Sequence, residues 1–358
     1  MSPTNGRDAS AAPLRCAVVG YGAAFNQGRS HARQITETAG LRLEAICDVV
    51  PSRAEAAQGD FPGVRGFTDL DRLLTEVAPD IVAVVVPHHL HAATTIRCLE
   101  AGAHVVVEKP MAITVADCDA MIAAARAAGR VLTVYHNRRW DGDFLTARDL
   151  IRQGAIGEVF HIEYYSGGYG RPGGGWRSDK AVSGGAFYDW GAHSVDWVLG
   201  LMDAPLRSVT GFFHKRVWHD VSNEDQVQAV LRFADDRVAD VQQSHLSMGP
   251  KPRWRILGTR GAILDTGQRL GSQARPCFTV RVPVSGYPAE FQVPFQEPGR
   301  GQFYPSLFRH LTLGEALAVT PESARRVIAV LEGAERSATA GQSVPVPYEE
   351  AFQHPHCR

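Results

Sequence analysis

Short apolar runs separated by amphipathic stretches fill the first third of the chain. Leu14–Val19 and Leu41–Cys47 read as strands, closed by Gly20 and Asp48. Ile81–Val86 is apolar at every position, and His104–Val107 and Val131–Val134 are nearly so. Runs without polar alternation mark strands covered on both faces, the habit of parallel sheets. Helical periodicity lies between them, over about 30–39, 69–77, 91–100 and 114–128. This alternation predicts an α/β fold over 14–135, a doubly wound parallel sheet of Rossmann type with ligands at the carboxyl ends of its strands.

After Val134 the pattern changes. Tyr135–Asp141 mixes polar and aromatic residues and reads as a hinge, followed by a helix over about 144–153 and a strand over 158–165. From Leu206 the period is two, over 206–218, 227–233 and 238–247, the last two joined as a hairpin at Asp235-Asp236. Further strands are expected at 253–258, 278–284 and 290–293, and two closing helices at about 306–313 and 321–338. The prediction for 136–358 is an α+β domain with a large, mostly antiparallel open sheet. Its closing helices are free to pack back on the first domain. A length of 358 residues agrees with two cores.

Candidate chemistry gathers at strand ends and on one helix. Gly20-Tyr21-Gly22 stands between the first strand and the first helix, the order of a dinucleotide site in which backbone N–H groups and the helix dipole hold a pyrophosphate. The turn is irregular, because Phe25 occupies the third glycine position and the segment from Ala23 to Gly28 is longer than usual. Asp48 is placed to accept hydrogen bonds from ribose hydroxyls and to repel a 2′-phosphate, which favours NAD. Arg53 nearby could accommodate that phosphate, so NADP stays open. Pro87 with His88, and Lys109, follow the next buried strands. Further on, Ser183–Asp196 carries Gly184-Gly185 and then, if helical from about Phe187, Asp189, His193 and Asp196 on one face. An imidazole there can exchange a proton near neutral pH, and the glycines would let backbone approach a ligand. The same face also fits an ordinary helix with a buried histidine.

Composition narrows the partners. Lys+Arg 37 against Asp+Glu 38 leaves a net charge of -1, so no global field draws nucleic acid or an anionic membrane. The six cysteines lack metal-like spacing, which predicts no metal site and a reduced, cytoplasmic setting. Met1–Pro13 has no apolar core of signal-peptide length and reads as a disordered leader. No run approaches the roughly 20 apolar residues of a membrane span.

Taken together, the G-x-G turn, the strand ending in Pro87-x-x-x-His91, the run Ala101-Gly102-x-His104-Val105 into Glu108-Lys109-Pro110, and Gly184-Gly185 with Asp189 and His193 resemble the Gfo/Idh/MocA oxidoreductases. That family is typified by glucose-fructose oxidoreductase and inositol dehydrogenase, and the resemblance covers nearly the whole chain. It implies a cofactor site of Gly20, Tyr21, Gly22, Asp48, Arg53, Pro87, His88, His91 and Glu108, with Ala23, Phe25 and Asn26 in the lengthened turn. It further implies that Lys109 lies beside the nicotinamide and the reacting carbon, that Asp189 binds substrate hydroxyls and that His193 transfers the proton. A homo-oligomer, dimer or tetramer, is also implied.

Substrate contacts are expected from Lys109, His136, Arg138, Trp176, Arg177, Asp189 and His193. The loop 167–180, with six glycines, Arg171, Trp176 and Arg177, is a candidate lid supplying an indole to a sugar face. Aromatic residues nearby suit a sugar or polyol, and Arg138, Arg139, Arg171 and Arg177 suit an anionic substituent. The expected function is an NAD-dependent sugar or polyol dehydrogenase. Two alternatives are a redox-neutral NAD-dependent glycosidase, with Tyr135, His136, Tyr188 or His245 as its extra base, and a non-catalytic cofactor sensor.

Overall fold

A computed structural model describes residues 12–22, 26–202, 204–249, 251–270 and 274–346. Most of the leader, residues 1–11, lies outside this range, as do Ala23, Phe25 and Cys357. The chain divides into two compact units. One takes in the chain up to Tyr135 together with Gly301–Arg325; the other takes in His136–Arg300 and the chain from Arg326.

Unit 1 alternates strand and helix: β1 Leu14–Val19, α1 Gln27–Glu37, β2 Leu41–Cys47, α2 Pro51–Asp60, β3 Arg65–Phe67, α3 Leu70–Val77, β4 Ile81–Val84, α4 His91–Glu100, β5 His104–Val107, α5 Val115–Ala128 and β6 Leu132–Val134. The sheet order is β3-β2-β1-β4-β5-β6, every pair parallel. This is a doubly wound sheet whose order reverses between β1 and β4, where such folds bind ligands. The apolar run at β4 is buried at all four positions, as helices on both faces require. Local chemistry marks the helix ends. The Asp69 carboxylate accepts the Arg72 N–H at 2.8 Å, the Thr114 hydroxyl accepts the Asp117 N–H at 3.1 Å, and Gly129 ends α5 at φ +62°. The short strand β3 carries no alternation, and no periodicity announces it.

Unit 2 opens with α6 Gly142–Arg152, β7 Val159–Gly167, α7 Lys180–Ser183 and α8 Ala186–Leu201. Strands β8 Leu206–His214, β9 Gln226–Phe233, β10 Val238–Ser244, β11 Trp254–Gly258, β12 Gly261–Leu264, β13 Arg269–Leu270, β14 Arg275–Val284 and β15 Tyr287–Pro294 follow. After them come α9 Phe303–Leu313, in unit 1, then α10 Pro321–Ala340 and β16 Val344–Pro345. The ten-stranded sheet runs β13-β14-β12-β11-β7-β10-β9-β8-β16, with β15 on β14. It is antiparallel except at β7 and β10, which pair parallel from His161↔Val238 to Gly167↔Ser244. Period-two burial along β9 and β10 puts Val227, Ala229, Leu231, Ala239 and Val241 on one buried face, against which α8 packs. Helix α8 is buried at every residue but Asp189 and Trp190, so it is a central core helix with one half-open turn.

Candidate active site

Unit 1 brings the predicted cofactor residues to one end of its sheet. Gly20 stands at φ +96°, where a Cβ would lie 2.0 Å from the Val85 carbonyl oxygen, so only glycine fits. Gly22 stands at φ +31°, and among the described residues nothing lies within 4 Å of a Cβ position there. Asn26 precedes α1 in the left-handed conformation, at φ 51°. The close packing expected of a third glycine falls on Gly28, three positions after Phe25. A Cβ on Gly28 would meet the Gly20 oxygen at 2.2 Å and Tyr21 Cα at 2.7 Å. Close backbone approach to the Gly20 turn is thus found at Gly28.

Asp48 is buried and serves the turn directly. Its Oδ2 accepts the N–H groups of Tyr21 at 3.0 Å and Gly22 at 2.9 Å, and its Oδ1 accepts that of Val50 at 2.9 Å. Arg53 Nη1 lies 3.6 Å from Oδ1, a counter-ion on the residue expected to read the ribose. The Tyr21 hydroxyl bonds to Asp60, which also pairs with Arg29 at 2.8 Å.

A buried polar network stands behind the Glu108-Lys109 step, and no motif in the sequence signals it. His31, fully buried on α1, donates through Nε2 to Glu108 Oε1 at 3.0 Å, and its Nδ1 is 2.6 Å from the Tyr304 hydroxyl. The Lys109 N–H donates to Glu108 Oε2 at 3.0 Å, and Gln34 Nε2 donates to the Tyr135 hydroxyl at 2.5 Å. Burial pushes the Glu108 carboxyl up, but His31 and Lys109 outweigh it and hold the group below its ordinary value. The Lys109–Pro110 peptide is cis.

His91, expected to line the cofactor, is completely buried instead. Its ring nitrogens sit on the carbonyl oxygens of Pro110, at 2.8 Å, and Val86, at 2.9 Å, leaving no atom for a ligand. It ties together the segments that follow β4 and β5, and burial lowers its pKa despite those carbonyls. His88, behind Pro87, is buried with its ring edge-on to His91 at 5.5 Å.

In unit 2 the paired glycines have a conformational task. Gly184 at φ +86° and Gly185 at φ +113° form the left-handed link between α7 and α8, and a Cβ on Gly185 would stand 2.7 Å from Glu224 Oε2. The absent side chain lets Glu224 accept the Ala186 N–H at 3.0 Å, while Lys180 holds its other oxygen at 2.6 Å. In the structure these glycines let a buried carboxylate reach the start of α8.

The face predicted on α8 divides in two. His193, 5% exposed, is enclosed by Trp190, His136 and Trp197, with ring centroids 5.9, 6.0 and 6.2 Å away. Asp189 is half-buried. Asp196 lies in the core, where Arg139 donates to both its oxygens at 2.9 and 2.5 Å, and His136 Nδ1 is 3.8 Å away. Arg139 is thereby committed to Asp196 and removed from the anion-binding candidates. His245 lies within electrostatic reach of Asp189; burial lowers its pKa, outweighing Asp189 and Asp225, which raise it.

Most other arginines proposed for an anion have protein partners. Arg171 pairs with the exposed Asp220 at 2.5 Å, and Arg177 lies over its own neighbour Trp176, 4.5 Å from the ring centre. That indole face is covered by the guanidinium, which the lid reading did not foresee. Arg138 lies 4.6 Å over the Trp190 ring and pairs with Asp141 at 3.0 Å. Tyr188 is buried, its ring packed under Gly184. Among the described residues no group of three His, Cys, Asp or Glu is arranged to hold a metal ion, and no helix is long and apolar enough to cross a membrane.

Two family models match in tandem: an oxidoreductase family with an NAD-binding Rossmann fold over residues 14–136, and the Gfo/Idh/MocA C-terminal domain over 144–264. The uncharacterized oxidoreductase YdgJ of Escherichia coli is 30% identical over 256 residues, 71% of each chain. The chain belongs to the Gfo/Idh/MocA oxidoreductase family. As a member of that family it is an NAD(P)-dependent oxidoreductase with an NAD-binding Rossmann domain. Another relative, the Bacillus subtilis protein IolW named scyllo-inositol 2-dehydrogenase (NADP(+)), is 26% identical over 318 residues, 84% of this chain and 88% of its own. Alignments to several further curated oxidoreductases span about 60% of those proteins. Among solved structures, an NAD-binding protein from Listeria innocua superposes with a TM-score of 0.82 at 26% identity, covering 96% of this chain and 99% of that one.

Proposed function

We propose that this Gfo/Idh/MocA member oxidises a secondary alcohol of a sugar, sugar derivative or polyol, with NAD as acceptor. The observation that carries the reading is His193, an imidazole enclosed by two indoles and His136 on a core helix, with the half-open carboxylate of Asp189 one turn before it. The names of two relatives, a scyllo-inositol 2-dehydrogenase and a D-glucoside 3-dehydrogenase, support a polyol or sugar. Asp48 supports NAD, tempered by its Arg53 counter-ion. Exposed Phe160, Phe212 and Phe291 on the sheet of unit 2 support self-association, and a cytoplasmic setting completes the proposal.

When bound, NAD supplies the nicotinamide carbon that accepts a hydride. The Gly20–Gly22 backbone and the start of α1 would hold the pyrophosphate, with Asp48 bonded to the Tyr21 and Gly22 N–H groups of the turn. His193 accepts the hydroxyl proton as the carbonyl forms, the task for which an imidazole is suited near neutral pH. Lys109 donates a hydrogen bond to the same oxygen and stabilises its developing charge. Asp189 accepts from a neighbouring hydroxyl and fixes which carbon is oxidised.

Incubation with NAD and a panel of sugars, polyols and glycosides tests this. NADH absorbance that grows with time, and falls about a hundredfold or more in rate in His193→Asn with NAD affinity kept, is the expected result. Glycoside cleavage without NADH build-up would replace the dehydrogenase with the redox-neutral hydrolase. Tight NAD(P) binding without any turnover would replace both with a sensor.

A further inference from the structure

Unit 2 contains a cavity of about 370 Å³, within the size range of small-metabolite sites, whose lining includes Arg138, Ser166, Trp190, Lys251 and Arg253. Among the described residues, three cationic side chains and no carboxylate line it. Their counter-charges stand outside the wall and are shared. Asp141 takes both Arg138 and Arg300, and Glu163 takes both Lys251, at 3.6 Å, and Arg255. Arg253 is 3.4 Å from Asp143, whose same oxygen also accepts the Trp254 indole N–H at 3.0 Å. One carboxylate divided between two cations leaves both incompletely neutralised.

Each cation is also laid on an aromatic ring. Arg138 lies over Trp190 at 4.6 Å, Arg253 over Trp197 at 5.3 Å and Lys251 over Tyr165 at 5.7 Å. Ring contacts of this kind restrict long, flexible side chains before a ligand arrives, which lowers the entropy lost on binding. The cavity has a definite address as well: the Trp190 ring that forms part of its wall stands 5.9 Å from the His193 ring on its own helix.

We propose that this cavity is an anion subsite, and that the substrate is a sugar or polyol bearing a phosphate or carboxylate, held by Arg138, Lys251 and Arg253 beyond Trp190 from His193. The subsite rests on the reading of His193 as the proton-transfer residue only for its catalytic meaning; binding of the anion does not depend on it. Of the four arginines that sequence put forward for an anion, only Arg138 belongs to the cavity. Lys251 and Arg253, in the segment that leads into β11, replace the other three.

Isothermal titration of the NAD-loaded protein with inorganic phosphate, D-glucose, D-glucose 6-phosphate and D-glucuronate tests the subsite, with the 6-phosphate and the uronate separating the two anion sources. Lys251→Gln and Arg138→Gln serve as variants; Lys251 is one-third exposed, so its variant is the one expected to fold without difficulty. The expected result is binding of phosphate and of at least one anionic sugar. Each variant should lose about tenfold more affinity for that sugar than for glucose, as the loss of one charge-assisted hydrogen bond implies. Absence of anion binding, or equal weakening for neutral and anionic sugars, overturns the subsite, even if a neutral sugar is oxidised. Anion binding that is lost in the variants while no sugar is oxidised supports the subsite and overturns the dehydrogenase reading instead.

Discussion

Replacing Arg139 with Met leaves the Asp196 carboxylate, 3% exposed, without the guanidinium that donates to both its oxygens. Removing one partner of a buried ion pair costs about 3–5 kcal/mol, because the remaining charge keeps its desolvation penalty and loses its compensation. For a unit of 150–250 residues this corresponds to a fall in melting temperature of about 6–20 °C. Asp196→Leu should cost a similar amount by stranding Arg139. The double variant, which places two apolar side chains of comparable reach in the same space, should recover most of the loss. Calorimetric melts of the three variants and the parent form the assay, with circular dichroism to confirm folding. The catalytic reading adds a second readout, since His136 touches both sides of this arrangement, 3.8 Å from Asp196 and 6.0 Å between ring centroids from His193. If either single variant melts within about 2 °C of the parent, the pair does not act as a buried keystone and neither charge carries the desolvation penalty given above.

Three further outcomes follow from other positions. Burial raises the Asp225 carboxyl, yet the N–H groups of Val217 and Arg216 and the Lys215 ammonium overcome it and hold the pKa at about 2. A depressed carboxylate stabilises fully above its unfolded value of 3.8 and loses that effect as the pH falls through about 2. Asp225→Asn should therefore be less stable than the parent by about 2 kcal/mol in denaturant titrations at pH 6, a gap that shrinks between about pH 4 and pH 2. Gly28→Ala should weaken NAD binding at least tenfold by fluorescence titration, because its Cβ would meet the Gly20 oxygen at 2.2 Å and push α1 off the turn; unchanged binding would mean the turn tolerates the displacement. Asp48→Ser should raise the ratio of NADP to NAD use by about tenfold or more in initial rates, since it removes the charge opposing a 2′-phosphate and leaves Arg53 unpaired. A ratio that stays put would show that Asp48 acts on the turn alone.

Much of the fold was legible because its signals are local. A run such as Ile81–Val84 can only be buried on both faces, and period-two burial along β9 and β10 follows from the pleat. Gly20, Asp48 and Lys109 stand where strand ends put them, so their candidacy needed no tertiary information. Less was legible in the candidate site. His31 gives no sign in the sequence that it bonds Glu108, 77 positions away, or Tyr304 on α9. Nor does Arg253 show that it shares a wall with Arg138. The parallel pairing of β7 with β10 was equally hidden, because register across a long connection leaves no local pattern.

Helix α8 shows where the division falls. Sequence alone determined that Asp189, His193 and Asp196 share a face, since a helical repeat is a property of neighbours along the chain. Which of them meets a core arginine and which stays half-open was decided by what packs against each turn. Arg139, 57 positions away, reaches Asp196, while Trp190 and His136 close around His193. The two glycines before the helix divide in the same way. Their presence announced an unusual backbone, but only the arrival of Glu224 at the Ala186 N–H showed that the backbone serves a buried carboxylate. Periodicity and turn chemistry are short-range and survive in the sequence, whereas the partner of a buried charge is chosen by segments that meet only when the core closes.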